Sequence, residues 1–248
     1  GPLPDDRTLA LPYMRLDLLQ DDYVTAHNLD QIGRTEDLRF GTQLSAELGV
    51  SQAALGANRN AFVASLGASR GYRLVHEQSL FLAGSWGSRL EGGSLRDSLL
   101  SVSSRYFWRA SGKTVLFVGF AADKGSALDL DHELMLGGDT GLRGYPLRYQ
   151  TGTARALLTV EGRYFTNWYP LRLARVGAAV FADIGRTWGA SALAVPELGT
   201  LRDVGIGLRF GNTRSALGNV LHVDLAFPLD GDPSVKSMQF LLKTYKSF

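Results

Sequence analysis

Asp203-Val204-Gly205-Ile206-Gly207-Leu208-Arg209-Phe210 decides the fold class. Its apolar residues fall on even numbers and its glycines and charges on odd ones, the period of a strand rather than a helix. The pattern recurs. Ala154, Ala156, Leu158, Val160 and Tyr164 alternate with Arg155, Thr159, Glu161 and Arg163, and Leu221, Val223, Leu225 and Phe227 alternate with His222, Asp224 and Ala226. Leu38, Phe40, Leu44, Ala46 and Leu48 fall on one face, with Arg39, Gln43, Ser45 and Glu47 on the other.

Cutting the chain at its turn clusters gives strands near 12–19, 22–28, 37–49, 59–71, 77–90 and 96–109, and near 114–124, 154–166, 173–187, 202–211, 219–228 and 235–248. The count is about twelve, the even number that closed single-chain membrane barrels use. Most segments are longer than the ~5 to 6 residues of a globular strand, and long enough to cross a bilayer at the ~45° tilt of barrel strands. A soluble sandwich would expose faces rich in Lys and Glu. Here the polar faces carry Gly, Ser, Thr and isolated charges, as in Ser101, Ser103 and Arg105, which suits a crowded, hydrated lumen. Tyr106, Trp108, Tyr164, Trp168, Tyr169 and Trp188 lie near strand ends, as interfacial girdles do. The expected fold is all-β: a transmembrane antiparallel up-and-down β-barrel of about twelve strands over residues 12–248, after an N-terminal segment of residues 1–11. The alternative is a soluble β-protein whose aromatics are core.

Composition narrows the classes further. The 248 residues include 29 Gly and no Cys, and their net charge is +2. Disorder, collagen, disulfide frameworks, thiolate zinc sites and a Cys nucleophile are excluded. A balanced charge gives no footprint for nucleic acid. The longest apolar run, Val115 to Ala122, is far short of the ~20 residues of a spanning helix. Gly1-Pro2 opens the sequence without a signal region, so a cleaved or truncated product is expected, with an upstream periplasmic module or a separate partner protein compatible with it.

The connection from 124 to 153 exceeds the ~12 to 15 residues beyond which loops are usually functional or disordered. It contains Gly137-Gly138-Asp139-Thr140-Gly141-Leu142-Arg143-Gly144-Tyr145-Pro146, with Arg143 bracketed by glycines that allow tight backbone passage. Two strands on, Phe181-Ala182-Asp183-Ile184-Gly185 follows a parity that turns Val176, Ala178, Val180, Ala182 and Ile184 outwards and Phe181, Asp183 and Gly185 inwards. Glu161 and Arg163 point inwards from the strand between. At ~3.4 Å per residue, half of the long loop can bring Arg143 down to these carboxylates. A guanidinium fork can satisfy two carboxylates at once, which Lys cannot copy.

These residues resemble the BamA, TamA and FhaC superfamily of outer-membrane insertion and two-partner secretion barrels, also called the bacterial surface antigen family. The likeness rests on Gly137-Gly138 ahead of Leu142-Arg143-Gly144-Tyr145, on Phe181-x-Asp183-x-Gly185, on the intervening Glu161, and on five strands between the loop and a C-terminal aromatic. It covers residues 114–248 well and the first 110 by strand pattern alone. The resemblance implies a loop folded into the lumen, with Arg143 paired to Asp183 and Glu161 as second partner. That pair is either a latch that only stabilises the barrel or part of a moving device. The implied function is insertion of proteins into the bacterial outer membrane, or their translocation across it, with no cofactor and no enzymatic activity. Outer-membrane lipids and client or passenger β-barrel proteins would be its partners, and both termini would be periplasmic. A seam between the first and last strands would open, helped by Pro12 and a short first strand. Phe240, Leu242 and Phe248 resemble the C-terminal assembly signal of outer-membrane barrels, although Lys246 stands where an aromatic is commoner. The family's POTRA modules and frequent sixteen strands are missing from this sequence.

Three alternatives stay open. An autotransporter translocator needs an amphipathic helix before strand one, and Pro2, Pro4 and Pro12 oppose it; a helix inside the pore would favour that class and an inward-folded loop the other. A passive porin-like channel is the second. An outer-membrane hydrolase is the third, but His222 falls on the inner face by parity, and no Gly-x-Ser-x-Gly elbow, HExxH or phosphate loop is present. No metal site is expected: His132, within Leu128-Asp129-Leu130-Asp131-His132-Glu133, reads as a solvated acidic patch.

Overall fold

A computed structural model describes residues 6–75, 77–130, 132–190, 198–212, 219–231 and 233–246. Its strands are β1 (Tyr13–Leu19), β2 (Tyr23–His27), β3 (Thr35–Arg39), β4 (Gln43–Ser51), β5 (Ala61–Arg73), β6 (Gln78–Glu91), β7 (Ser94–Arg109) and β8 (Thr114–Ser126). The rest are β9 (Leu134–Leu136), β10 (Gln150–Gly152), β11 (Ala154–Phe165), β12 (Ala174–Trp188), β13 (Leu201–Asn212), β14 (Asn219–Pro228) and β15 (Gln239–Lys246). Among the described residues the helical elements are two three-residue 3-10 turns, and no helix is long and apolar enough to cross a membrane.

Eleven strands make one antiparallel sheet in the order β1-β4-β5-β6-β7-β8-β11-β12-β13-β14-β15. Each sheet strand pairs with the next one along the chain. Short connections favour this meander, because sequential antiparallel strands need only a tight turn between them. No pairing joins β1 to β15 among the described residues, so the sheet has two edges. One end of the sheet carries the long β8–β11 connection, hereafter the loop end; the other carries the β1–β4 connection, hereafter the hairpin end.

The sheet has eleven strands where about twelve were expected, and the reason is local. The segment near 22–28 is not a sheet strand: β2 pairs only with β3, forming a separate hairpin between β1 and β4. The alternation from Leu38 to Leu48 is not one strand either. It breaks at Gly41, where a side chain would meet the Gln20 carbonyl oxygen at 1.9 Å, so the chain can turn there only without a Cβ. Phe40 then packs on the inward Phe81, with ring centroids 5.1 Å apart. With an odd number of antiparallel strands, the start of β1 and the end of β15 lie at opposite ends of the sheet; an even number would have put both at one end, as expected for two periplasmic termini. Residues 6–11 lie against the loop end, where Arg7 pairs with Asp129 and Thr8 with Asn58.

Sidedness follows the sequence parity. On β12, Val180 is 61% exposed while Asp183 is fully buried. On β13, Val204, Ile206 and Leu208 are exposed and Asp203 and Arg209 buried. Leu16, Leu18, Leu44, Leu48, Leu66, Leu82, Leu100, Val102 and Phe120 extend the exposed apolar face across the other half of the sheet. Aliphatic side chains thus cover the outer face, while the charged ones are buried on the inner face between two apolar clusters. The sheet curls its inner face around two inserts. The long connection, tied by the small β9–β10 ladder, reaches β11, β12 and β13; the β2–β3 hairpin reaches β11, β12 and β13 from the hairpin end.

Candidate functional site

The latch begins with a tight turn. The Gly137 carbonyl accepts the N–H groups of Thr140, Gly141 and Leu142 at 3.0 to 3.1 Å, and Gly138 N–H reaches the Pro146 carbonyl at 3.1 Å. Leu142 is thereby driven into an apolar cluster with Leu136, Tyr145 and Leu201, which covers Gly185 on the inner face of β12. Gly144 follows Arg143 with no room for a side chain: a Cβ there would lie 2.5 Å from that of Asp203. Its N–H donates to Asp203 Oδ2 at 3.0 Å. The Tyr145 hydroxyl lies 2.8 Å from the Arg202 carbonyl and 3.0 Å from that of Asp230, fixing the loop to the start of β13 and the turn after β14.

Held from both sides, Arg143 has one direction left, towards the inner wall. Its Nε and Nη2 donate to the two oxygens of Asp183 at 2.8 and 3.0 Å, a bidentate fork, and its Nη1 donates to Glu161 Oε2 at 2.7 Å. Its guanidinium carbon sits 3.3 Å from the centre of the Phe181 ring. The ring and the fork use the two features of arginine that lysine lacks, a planar face and paired donors. Thr159 Oγ1 adds a hydrogen bond to Asp183 at 2.8 Å.

The network extends beyond the expected Arg143, Asp183 and Glu161. Glu161 is its centre: Oε2 also accepts Arg209 Nη2 at 3.0 Å, and Oε1 accepts Arg163 Nε at 3.0 Å. One carboxylate therefore binds three arginines. Asp224 bonds Arg209 and lies 3.6 Å from Arg143, and Arg163 goes on to Asp30 at 2.9 Å. Arg163, Arg209, Asp203 and Asp224 had a readable signal, namely charges at inward parity on consecutive strands. Asp30 had none, because it lies in the hairpin that leaves the sheet. Around the network is a cavity of about 660 Å³ whose lining includes Asp30, Arg105, His222 and Lys243.

No family model and no curated protein matches this chain. What the latch can do follows from its own geometry. Burying Arg143, Glu161 and Asp183 is tolerable because each is paired and hydrogen-bonded, and removing one partner leaves another uncompensated; at the rim of the network Asp203 Oδ1 and Arg209 Nε are buried without a partner among the described residues. The arrangement specifies one position for the loop.

The other expected residues divide. Phe240 and Leu242 lie on the outer face of the edge strand β15, 65% and 61% exposed; Phe248 lies outside the described residues. His222 lines the inner cavity. At the loop end, Asp97, Asp129 and His132 bring ligand atoms within 4.8 Å of one another. Asp129 is already taken by guanidinium groups, with Arg7 at 2.8 Å and Arg89 at 2.9 Å, and His132 lies 2.7 Å from Asp97. This cluster clamps the start of the long connection to β6 and β7.

Proposed function

We propose that this chain is a membrane-embedded barrel of the BamA, TamA and FhaC type, placed in a bacterial outer membrane, that inserts proteins into that membrane or moves them across it without a cofactor. The observation that carries the reading is the Arg143 latch: a glycine-bracketed loop folded against the charged inner face of a sheet whose outer face is apolar. Apolar-out, polar-in alternation on long tilted strands is what a bilayer requires of a spanning sheet. Tyr164, Trp108 and Trp188, exposed near strand ends, suit the two interfaces. Outer-membrane lipids and unfolded or partly folded β-barrel proteins are the partners on this reading.

The edges favour an inserting or translocating role over a passive channel. β1 is only seven residues long and exposed along its length, and β15 likewise has no partner on its far side among the described residues. Unpaired N–H and C=O groups on a strand edge are templates for a further strand. A porin would need an open lumen, but two inserts reach into this one from opposite ends. A loop, not a helix, lies on the inner face among the described residues, which favours this reading over an autotransporter translocator. His222 faces inwards, away from where a lipid-facing hydrolase would act.

The test is reconstitution into phosphatidylcholine–phosphatidylglycerol vesicles, followed by the folding of a small outer-membrane barrel added in urea. The reading expects protease-resistant insertion of this chain and faster folding of the client. A bifunctional maleimide joining single cysteines placed on β1 and β15, unambiguous in a chain without cysteine, should abolish the acceleration. Failure to insert, or full acceleration with the seam crosslinked, overturns it.

A further inference from the structure

The β2–β3 hairpin is stiff and apolar at its tip. Glu36 accepts the N–H groups of Leu29 and Asp30 at 2.8 and 3.0 Å, and Asn28 Oδ1 accepts that of Gly33 at 2.7 Å, so the turn is braced by its own side chains. A surface hairpin of this kind would leave Leu29 and Ile32 in water. Here they are 5% and 2% exposed, packed with Phe107, Val115, Phe165 and Val220 from four different sheet strands. Ile32 abuts Gly177 on β12 and Gly211 on β13, the far wall from β1 and β4, where the hairpin originates. Asn28 reaches the Gly112 carbonyl at 3.3 Å. The hairpin thus crosses the whole width of the inner space at its own end.

Its polar anchor is Arg163, whose Nη1 donates to the Leu29 carbonyl at 2.7 Å and to Asp30 at 2.9 Å. The same guanidinium donates to Glu161, which also binds Arg143 of the long connection. An unbroken series of ion pairs therefore runs Asp30–Arg163–Glu161–Arg143–Asp183, linking an insert from one end to an insert from the other. We propose that the β2–β3 hairpin is a plug closing the hairpin end of the lumen, and that Glu161 couples its seating to the Arg143 latch. The proposal rests on the reading above that the sheet encloses a lumen. Its physical basis is that Arg163 is oriented by two carboxylates at once: when Arg143 leaves, Glu161 is free to shift towards Arg163 and Arg209, and the geometry that fits Asp30 is lost.

Two measurements test it. Ile32→Cys introduces a single thiol into a chain that has none, and its reaction with a membrane-impermeant maleimide, in detergent, reports unseating of the hairpin. The rate should be slow in the parent and rise about tenfold with Asp30→Ala, which cuts the hairpin's side-chain tie, and also with Arg143→Ala, whose partners are Asp183, Glu161 and Phe181 rather than the hairpin; fivefold or more is the range of ordinary inter-site coupling. Asp183→Asn is the milder loop-side variant and should raise the rate less. A parent thiol reacting as fast as in urea overturns the plug. An accelerated Asp30→Ala with Arg143→Ala and Asp183→Asn at the parent rate overturns the coupling. In planar bilayers, replacing residues 21–41 by an Asn-Gly turn keeps Gln20 and Thr42, already hydrogen-bonded at 2.8 Å, and, combined with Arg143→Ala to release the insert at the loop end, should conduct more than Arg143→Ala alone; equal conductance of the two overturns the plug. A chain that never enters lipid defeats the membrane reading instead, while the thiol measurement in detergent still decides the hairpin.

Discussion

The long connection and the β2–β3 hairpin fold onto the same inner face from opposite ends, yet they are held by different chemistry. The connection packs Leu136, Leu142 and Tyr145 in an apolar cluster, but its aim is set by charge: Arg143 makes three hydrogen bonds to two carboxylates and sits over the Phe181 ring. The hairpin is placed chiefly by shape: Leu29 and Ile32 fill an apolar recess, and Arg163, with Arg105 at 3.6 Å from Asp30, trims the fit. A charge latch is directional and fails when its geometry changes even if the charge is kept. An apolar plug is graded, losing stability in proportion to the volume removed. The two regions should therefore respond differently to conservative substitution.

The largest effect expected is at the latch. Arg143→Ala should cost about 3 to 5 kcal/mol in urea unfolding, because Asp183 and Glu161 are left buried with fewer partners. Arg143→Lys should recover less than half of that loss, since an ammonium cannot form the fork or lie flat on the ring. Tryptic cleavage after the exposed Arg148 should accelerate in both variants. A lysine variant as stable as the parent would show that charge alone holds the loop, and the contrast with the hairpin would vanish. The hairpin series should be smoother: Ile32→Val about 0.5 to 1.5 kcal/mol and Ile32→Ala about 2 to 5 kcal/mol. A valine variant as damaged as the alanine one would mean that Ile32 acts by shape-specific locking rather than by volume.

The same contrast explains what the sequence made legible. On β11 to β14 most of the charged residues fall at inner parity and the outer positions are mostly aliphatic, so parity alone assigned Asp183, Glu161, Asp224 and Arg209 to one side. Arg143 could be assigned to that side because its glycine brackets and loop length marked an inward fold. The hairpin offered no such difference. Leu38, Phe40 and Leu44 are all apolar at even positions, and alternation cannot distinguish an aliphatic residue facing outwards from Phe40 turning in towards Phe81. The break is caused by a carbonyl of Gln20 approaching Gly41, a contact between residues 21 apart in sequence that no local pattern contains. A break between the segments near 22–28 and 37–49 was visible, and Asn28 and Gly33 turn there with positive φ, but whether the strands flanking it joined the sheet or left it depended on the recess formed by β7, β8, β11 and β14. The hub role of Glu161 was hidden for a related reason: its third arginine, Arg209, arrives from two strands away.

The smallest effect concerns the loop-end clamp, which extends the charge side of the comparison to a wetter site. Partial burial alone would raise the Asp129 carboxyl, but the hydrogen bonds and charge of Arg89, with Arg7, outweigh it and hold it below its ordinary value of 3.8. A carboxylate depressed on folding contributes stability above its unfolded pKa and loses it as pH falls through the folded value. Hydrogen exchange at the amides of residues 127–130 should thus be unaffected between pH 7 and 5 and should show added opening only below about pH 3.8, after correction for intrinsic rates. Asp129→Asn should show the open pattern at every pH while leaving protection at Arg143 intact, because the ion pairs at Glu161 do not include Asp129. Opening that spreads from Asp129 to Arg143 would make the two charge sites one cooperative unit, and the connection would then have to be treated as a single rigid insert rather than two separately anchored halves.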